Sequence, residues 1–139
     1  RKDELRVVLK CSATMISAHG VINAEMHKKG LPPLDYRISL DYGLVEIATS
    51  KSSQIEDLFG SAMNICAKIN GKALANGIVI GEELFDVMSN TYEYDDYIVK
   101  SAGTVVLDLA EKEKYSIYHV ESKIKNTLNP FKHKKVDEL

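Results

Sequence analysis

The side chains that could carry chemistry are few and scattered. Four histidines, His19, His27, His119 and His133, share no metal-ligand spacing. His19 and His27 stand eight apart in one apolar-periodic stretch, and His119 falls among tyrosines and aliphatics, the usual setting of structural or solvated imidazoles. Cys11 and Cys66 each sit inside an apolar helical pattern, so neither a disulfide framework nor a zinc site is indicated, and a reducing compartment fits. The sequence holds no G-x-x-x-x-G-K-[ST] phosphate loop, no G-x-G-x-x-G, no H-E-x-x-H, no C-x-x-C and no G-x-S-x-G. What remains is a polar set at helical spacing, Ser61, Asn64, Lys68 and Lys72, led by Asp57-Leu-Phe-Gly60. Periodicity alone makes that set the wet face of an amphipathic helix.

Those residues must be positioned by the elements around them. Asp3 to about Lys29 contains no proline and is apolar along two adjoining helical faces, Leu5, Val8, Leu9, Ser12, Ile16 and Val7, Cys11, Met15, Ala18, Ile22. This predicts a long helix with a broad buried side, stopped by Gly30 and Pro32-Pro33. Alternation through Tyr36, Ile38, Leu40 and Tyr42, broken by Gly43 before Leu44-Val-Glu-Ile-Ala48, predicts two antiparallel strands joined by a tight connection. Ser50 to Gln54 reads as a loop, and Ile55 to Gly60 as the lead into a helix from Ser61 to Leu74. That helix has Ala62, Ile65, Cys66, Ile69 and Ala73 as its apolar stripe.

Ile78-Val-Ile80 reads as a buried strand, Glu82 to Met88 as a brief helix, and Ser89 to Asp96 as a surface loop. Two strands follow, Tyr97 to Leu109 with an interruption near Gly103, and Tyr115 to Val120, joined by a charged connection at Glu111 to Lys114. The expected architecture is α+β and ferredoxin-like, a mainly antiparallel sheet with helices packed on one face. Residues 1–121 form the expected domain and 122–139 a Lys-rich tail, helical or mobile.

The 139 residues carry 45% hydrophobic and 27% charged side chains, with 18 Lys and Arg against 20 Asp and Glu. That balance excludes a disordered chain and a dedicated nucleic-acid binder. No run of about 18 consecutive apolar residues occurs and the first residues lack a signal peptide's apolar core, so a cytoplasmic protein without a membrane span is expected. The chain opens on Arg1 inside a helical pattern, which is expected of a piece of something longer.

Three blocks in fixed order carry a more specific signal: Arg37-Ile-Ser-Leu-Asp-Tyr-Gly43, then Asp57-Leu-Phe-Gly-Ser-Ala-Met-Asn-Ile-Cys-Ala-Lys68, then Asn76-Gly-Ile-Val-Ile-Gly-Glu-Glu-Leu-Phe85. Together they resemble the class III adenylate/guanylate cyclase catalytic domain of archaeal or bacterial type. Its matching stretches read R-I-G-I-x-x-G, D-x-F/W-G-x-x-V-N-x-A-x-R and G-x-I-x-V-S-E-E-L. The resemblance covers about residues 5 to 120, the C-terminal two-thirds of such a domain. It implies conversion of ATP to 3′,5′-cyclic AMP and pyrophosphate in a signalling role. Catalysis would use Mg2+ or Mn2+ and a head-to-tail homodimer, or a pair with a second cyclase domain, because the site lies between two subunits.

By that resemblance Asp57, with Phe59 and Gly60 beside it, binds substrate. Its carboxylate accepts from the adenine amino group and opposes the guanine carbonyl, which favours ATP over GTP. Asn64 orients the ribose. Lys68 falls where the family has a transition-state arginine, and offers a point charge in place of a planar fork.

Three departures accompany the likeness. The family's two metal-binding aspartates belong to strands upstream of this chain, and neither Asp35 nor Asp41 stands in the matching motif. Arginine is replaced by Lys68, and a phosphate-contacting lysine by Asp108 within Leu107-Asp-Leu109. The sequence therefore carries two readings: a cyclase whose full-length dimer is active while this piece alone is not, and a catalytically degenerate cyclase-homology module that binds nucleotide or a partner domain and regulates. An unrelated ferredoxin-like interaction domain is a more distant third.

Overall fold

The structure is a computed structural model that describes residues 2–49, 51–52, 56–90 and 95–124. The tail from 125 onward, with His133, and residues 91–94 of the expected surface loop lie outside the described residues.

Helix α1 runs Lys2–Lys28, with Asp3 and Glu4 in its first turn and His27 and Lys28 in its last, both favourable to the helix dipole. Its end has the expected chemistry. Gly30 takes a φ of 67°, Gly30 N–H donates to His27 O at 3.0 Å and Leu31 N–H to Met26 O at 2.9 Å. The buried side is narrower than the sequence predicts. Leu9, Ser12 and Ala13 are buried with Leu5 and Ile16 packed beside them, whereas Val7, Val8, Cys11, Met15 and Ile22 are exposed. Ser12 tolerates burial because its hydroxyl donates to Val8 O at 2.9 Å.

The main sheet has the order β1-β4-β6-β5, from β1 (Ile38–Leu40), β4 (Ile78–Gly81), β5 (Tyr97–Asp108) and β6 (Glu113–Ser122). Strand β1 pairs parallel with β4, Ile38 opposite Ile78 and Leu40 opposite Ile80. The β4–β6 and β5–β6 pairs are antiparallel, and β5 shifts register between Ser101 and Thr104, around Gly103. The expected antiparallel pairing of β1 with the following strand is therefore wrong. Strand β2 (Glu46–Thr49) pairs instead with β3 (Glu56–Phe59), a strand where the sequence reading had a helix lead-in, and the two form a separate hairpin. Alternation identifies a strand's faces but not its neighbour. Here β1 gains a partner across the crossover through α2 (Ser61–Asn70), because Ile78 to Ile80 is the more completely buried strand.

Helices lie on both faces of the sheet, not on one. Ile78 and Ile80 point towards Leu9 of α1 and towards Leu84 and Met88 of α3 (Glu82–Ser89), while Val79 points the other way, into Ile69 of α2, Ala73, Val105, Tyr115 and Ile117. The period-two pleat thus makes β4 the shared floor of two cores. The architecture is α+β, mainly antiparallel with one parallel pair.

Leu9 and Leu109 offer a direct test of this layering, since one is fully buried and the other 87% exposed. Leu9→Ala should lower unfolding free energy by about 2–5 kcal/mol in urea titration. Leu109→Ala should change it by less than about 0.5 kcal/mol.

Candidate functional site

Strand β3 sets the first two candidate residues. Its register places Asp57 opposite Ala48 and Phe59 opposite Glu46 on one face, with Leu58 opposite Ile47 on the other. Asp57 and Phe59 are exposed, two residues apart on that face. The chain then turns at Gly60, whose φ of 136° suits glycine and where an added Cβ would stand 3.1 Å from Leu44 O. Asn64 N–H donates to Gly60 O at 3.2 Å, so α2 starts immediately after the turn. Ala62 and Ile69 anchor α2 in the core, which leaves Asn64 and Lys68, one turn apart, exposed.

The structure thus sets Asp57, Phe59, Gly60, Asn64 and Lys68 along one strand-turn-helix segment. It also shows what the sequence could not. The Lys68 ammonium donates to the backbone carbonyl of Val106 on β5, so its charge rests on the sheet edge. Asp108 is occupied as well: its carboxylate accepts from Ala110 N–H at 2.7 Å and Glu111 N–H at 3.4 Å, closing the β5–β6 turn.

A cleft of about 620 Å³ opens beside this segment, between Tyr42 to Leu44, Ser61, the start of α3 and the β5–β6 hairpin. None of Asp57, Asn64 and Lys68 lines it. Glu82, Glu83, Asp86 and Glu113 face it against a single Lys114, which disfavours a triphosphate there.

Asp41, just after β1, is held by several hydrogen bonds. Its carboxylate accepts from Tyr42 N–H at 2.9 Å, from Leu84 N–H at 3.2 Å and from the Tyr115 hydroxyl at 2.5 Å. The same hydroxyl accepts from Glu83 N–H at 3.1 Å. Together the two side chains cap the first turn of α3, whose own N-cap residue, Gly81, has no side chain to do so. Sequence reading missed this pair; only the side-chain-free Gly81 before Glu82-Glu83 hinted that the cap must come from elsewhere.

Burial first, and the Asp41 hydrogen bond second, push the Tyr115 phenol well above its ordinary value. Burial, then the Asp41 charge, also push the Cys66 thiol up, which makes it a poor nucleophile at neutral pH. Asp35 accepts from Asn76 Nδ2 at 2.8 Å, a loop contact. His19 Nδ1 lies 2.5 Å from Ile16 O and its ring meets Tyr36 edge-on, a structural role. Among the described residues no group of three or more His, Cys, Asp or Glu could hold a metal ion. The described residues therefore do not fit a divalent cation.

No family model matches the chain, and neither does any curated protein. Among solved structures, adenylate cyclases from Trypanosoma brucei, analysed in their monomeric state, are similar at 21% identity with a TM-score of 0.47. The match covers 58% of this chain and 34% of that one, so the chain spans about a third of that structure's length. Its trypanosomal source lends nothing to the archaeal or bacterial type expected above.

The Asp41 knot gives two predictions. An added Cβ at Gly81 would collide with the Asp41 carboxylate, which three hydrogen bonds hold in place, so Gly81→Ala should cost about 1–3 kcal/mol in urea unfolding. Tyr115 keeps its proton in the folded state after the unfolded chain has lost it. Its contribution is thus complete below the ordinary tyrosine value of 10.0 and declines as pH rises beyond it. Urea midpoints from pH 8 to 11 should fall more gently in Tyr115→Phe than in the wild type, from a lower starting stability.

Proposed function

We propose that this chain carries the nucleotide-reading half of a class III-type nucleotidyl cyclase site, selective for ATP, which a second copy or a second cyclase domain completes. The observation that carries the reading is the placement of Asp57 and Phe59 on one exposed face of β3, running through Gly60 directly into Asn64 and Lys68. An aromatic ring and a carboxylate on a shared face suit a purine, the ring by stacking and the carboxylate by accepting from an exocyclic amine. Guanine would set a carbonyl oxygen against that carboxylate. Asn64 can hold ribose hydroxyls in orientation, and Lys68 can reach a phosphate once it leaves Val106.

The hairpin supports a partner beside this half-site. Leu44 is 88% exposed, Ile47 63% and Leu58 53%, and a two-stranded hairpin is marginal in water without a covering surface. In the completed protein the ribose 3′-oxygen would attack the α-phosphorus and pyrophosphate would leave, a cytoplasmic signalling reaction. Mg2+ or Mn2+ would then be held by groups outside this chain, and the piece alone would not turn over.

A second reading, a degenerate module that binds nucleotide and regulates, is favoured by one observation: the Lys68 ammonium is already engaged by Val106. Two experiments decide. By calorimetry the chain should bind ATP more tightly than GTP, and Asp57→Ala should bring the ratio close to one, a loss of about tenfold in discrimination. Equal affinities in the wild type would overturn the base-reading role. In a full-length parent with manganese, ATP alone should yield cyclic nucleotide and Lys68→Arg should raise kcat with little change in KM. A parent that binds ATP yet makes no product would assign the regulatory reading.

A further inference from the structure

The chain contains two Asn-Gly pairs, Asn70-Gly71 and Asn76-Gly77, and both asparagines hold the same segment, the entry to β1. Asn70 Nδ2 donates to the Ser39 hydroxyl at 3.2 Å and to Arg37 O at 3.5 Å. Asn76 holds more tightly. Its Nδ2 donates to Asp35 Oδ1 at 2.8 Å, its Oδ1 accepts from Tyr36 N–H at 3.3 Å, and its own N–H donates to Tyr36 O at 2.8 Å. Gly77 O then accepts from Ile38 N–H at 3.0 Å, so the clasp passes directly into the β1–β4 pairing.

The two pairs differ in what the backbone demands. Asn76 has a φ of 57°, a conformation that asparagine tolerates better than most side chains. A Cβ at Gly77 would stand 3.0 Å from Leu74 O, whereas at Gly71 the nearest atom would be 3.8 Å away. The turn into β4 therefore selects asparagine followed by glycine, while space does not demand Gly71. That pair has a chemical liability: with no side chain on the following residue, its backbone nitrogen has open access to the asparagine amide.

We propose that Asn76 is a site of spontaneous deamidation, held in check by Asp35, and that its product unclasps the entry to β1. The Gly77 backbone nitrogen bonds to Asn76 Cγ, the Cγ–Nδ2 bond breaks, and Nδ2 leaves as ammonia with the proton that Gly77 gives up. Water then opens the cyclic imide at one carbonyl or the other, leaving aspartate or isoaspartate. Two contacts oppose ring closure in the folded chain. Gly77 N–H is committed to Leu74 O at 2.9 Å, and the leaving nitrogen is bound to the Asp35 carboxylate. Both must break, so the rate follows local opening of this turn. The consequence is electrostatic: Asp35 faces a second carboxylate where it met an amide donor, and like charges at that distance repel. Isoaspartate also lengthens the main chain just ahead of Ile78, the first residue of the strand that floors both cores. The inference is independent of the proposed function, because it uses none of Asp57, Phe59, Gly60, Asn64 and Lys68.

Incubation of the 139-residue chain in mildly alkaline buffer, followed by trypsin and mass spectrometry, tests it. Cleavage after Lys68, Lys72 and Lys100 places Asn70 and Asn76 in separate peptides, so Asn70 serves as an internal reference. In the folded wild type Asn76 should convert at least about tenfold more slowly than in urea, and Asp35→Ala should recover much of that factor while leaving Asn70 unchanged. Asp35→Asn, which keeps an acceptor, should stay near the wild-type rate. Asn76→Asp should lower the urea midpoint in the wild type, and by less in the Asp35→Asn background. No conversion at Asn76 in urea would overturn the site, and equal rates in the folded and unfolded chain would overturn the brake. So would an Asp35→Ala chain, folded by circular dichroism, that keeps the wild-type rate. A midpoint that Asn76→Asp leaves unchanged, or lowers equally in both backgrounds, would overturn the unclasping.

Discussion

The fold depends on one carboxylate. Asp41 follows β1, meets the Tyr115 hydroxyl from β6 and receives Leu84 N–H from α3, so three elements distant in sequence are fixed at one point. A buried helix start with bare amides would be costly, and Gly81 cannot cap it. A side chain larger than glycine at that position would displace the carboxylate that replaces the missing cap. Glycine, carboxylate and phenol are thus one solution to one problem. The same knot removes Asp41 from metal binding, because drawing its oxygens to a cation would uncap α3.

That constraint fixes the frame from which the candidate site projects. With β4 buried on both faces, α2 is anchored by Ile69, and by Ala73 just beyond it, and has only one direction in which to turn Asn64 and Lys68. The hairpin has no such anchor. Both its faces carry exposed side chains, and Gly60 joins it to α2 with little room to spare. The candidate site therefore combines a half on α2 that is anchored in the core with a half on β3 whose side chains are exposed.

What the sequence made legible follows the range of the forces involved. Helices α1, α2 and α3 were readable because caps, stops and apolar period are local, and the Gly30 stop emerged with the chemistry expected of it. The partner of β1 was not, since Ile38 and Leu40 alternate identically whether the neighbour is parallel or antiparallel. Strand β3 was missed because Glu56-Asp-Leu-Phe59 gains its conformation from cross-strand pairing with Glu46 to Thr49. Tyr115 stands 74 residues from Asp41, beyond any window of periodicity. The candidate site was visible through motif spacing alone, and its exposure agrees equally with a wet helix face.

Lys68 shows why such geometry matters beyond identity. Had its ammonium met a carboxylate, a nucleotide would have to break a charge-assisted pair. It meets the neutral carbonyl of Val106 instead, a hydrogen bond assisted by one charge and not by two. A phosphate carries full charge and makes the stronger contact with an ammonium, so the exchange from carbonyl to phosphate is favourable once a nucleotide is held by other groups. Lysine has the flexible stem for that swing, where a guanidinium would hold a fixed fork. Under the proposed function, the arrangement would tie the positive charge to prior holding of the base and ribose by other groups.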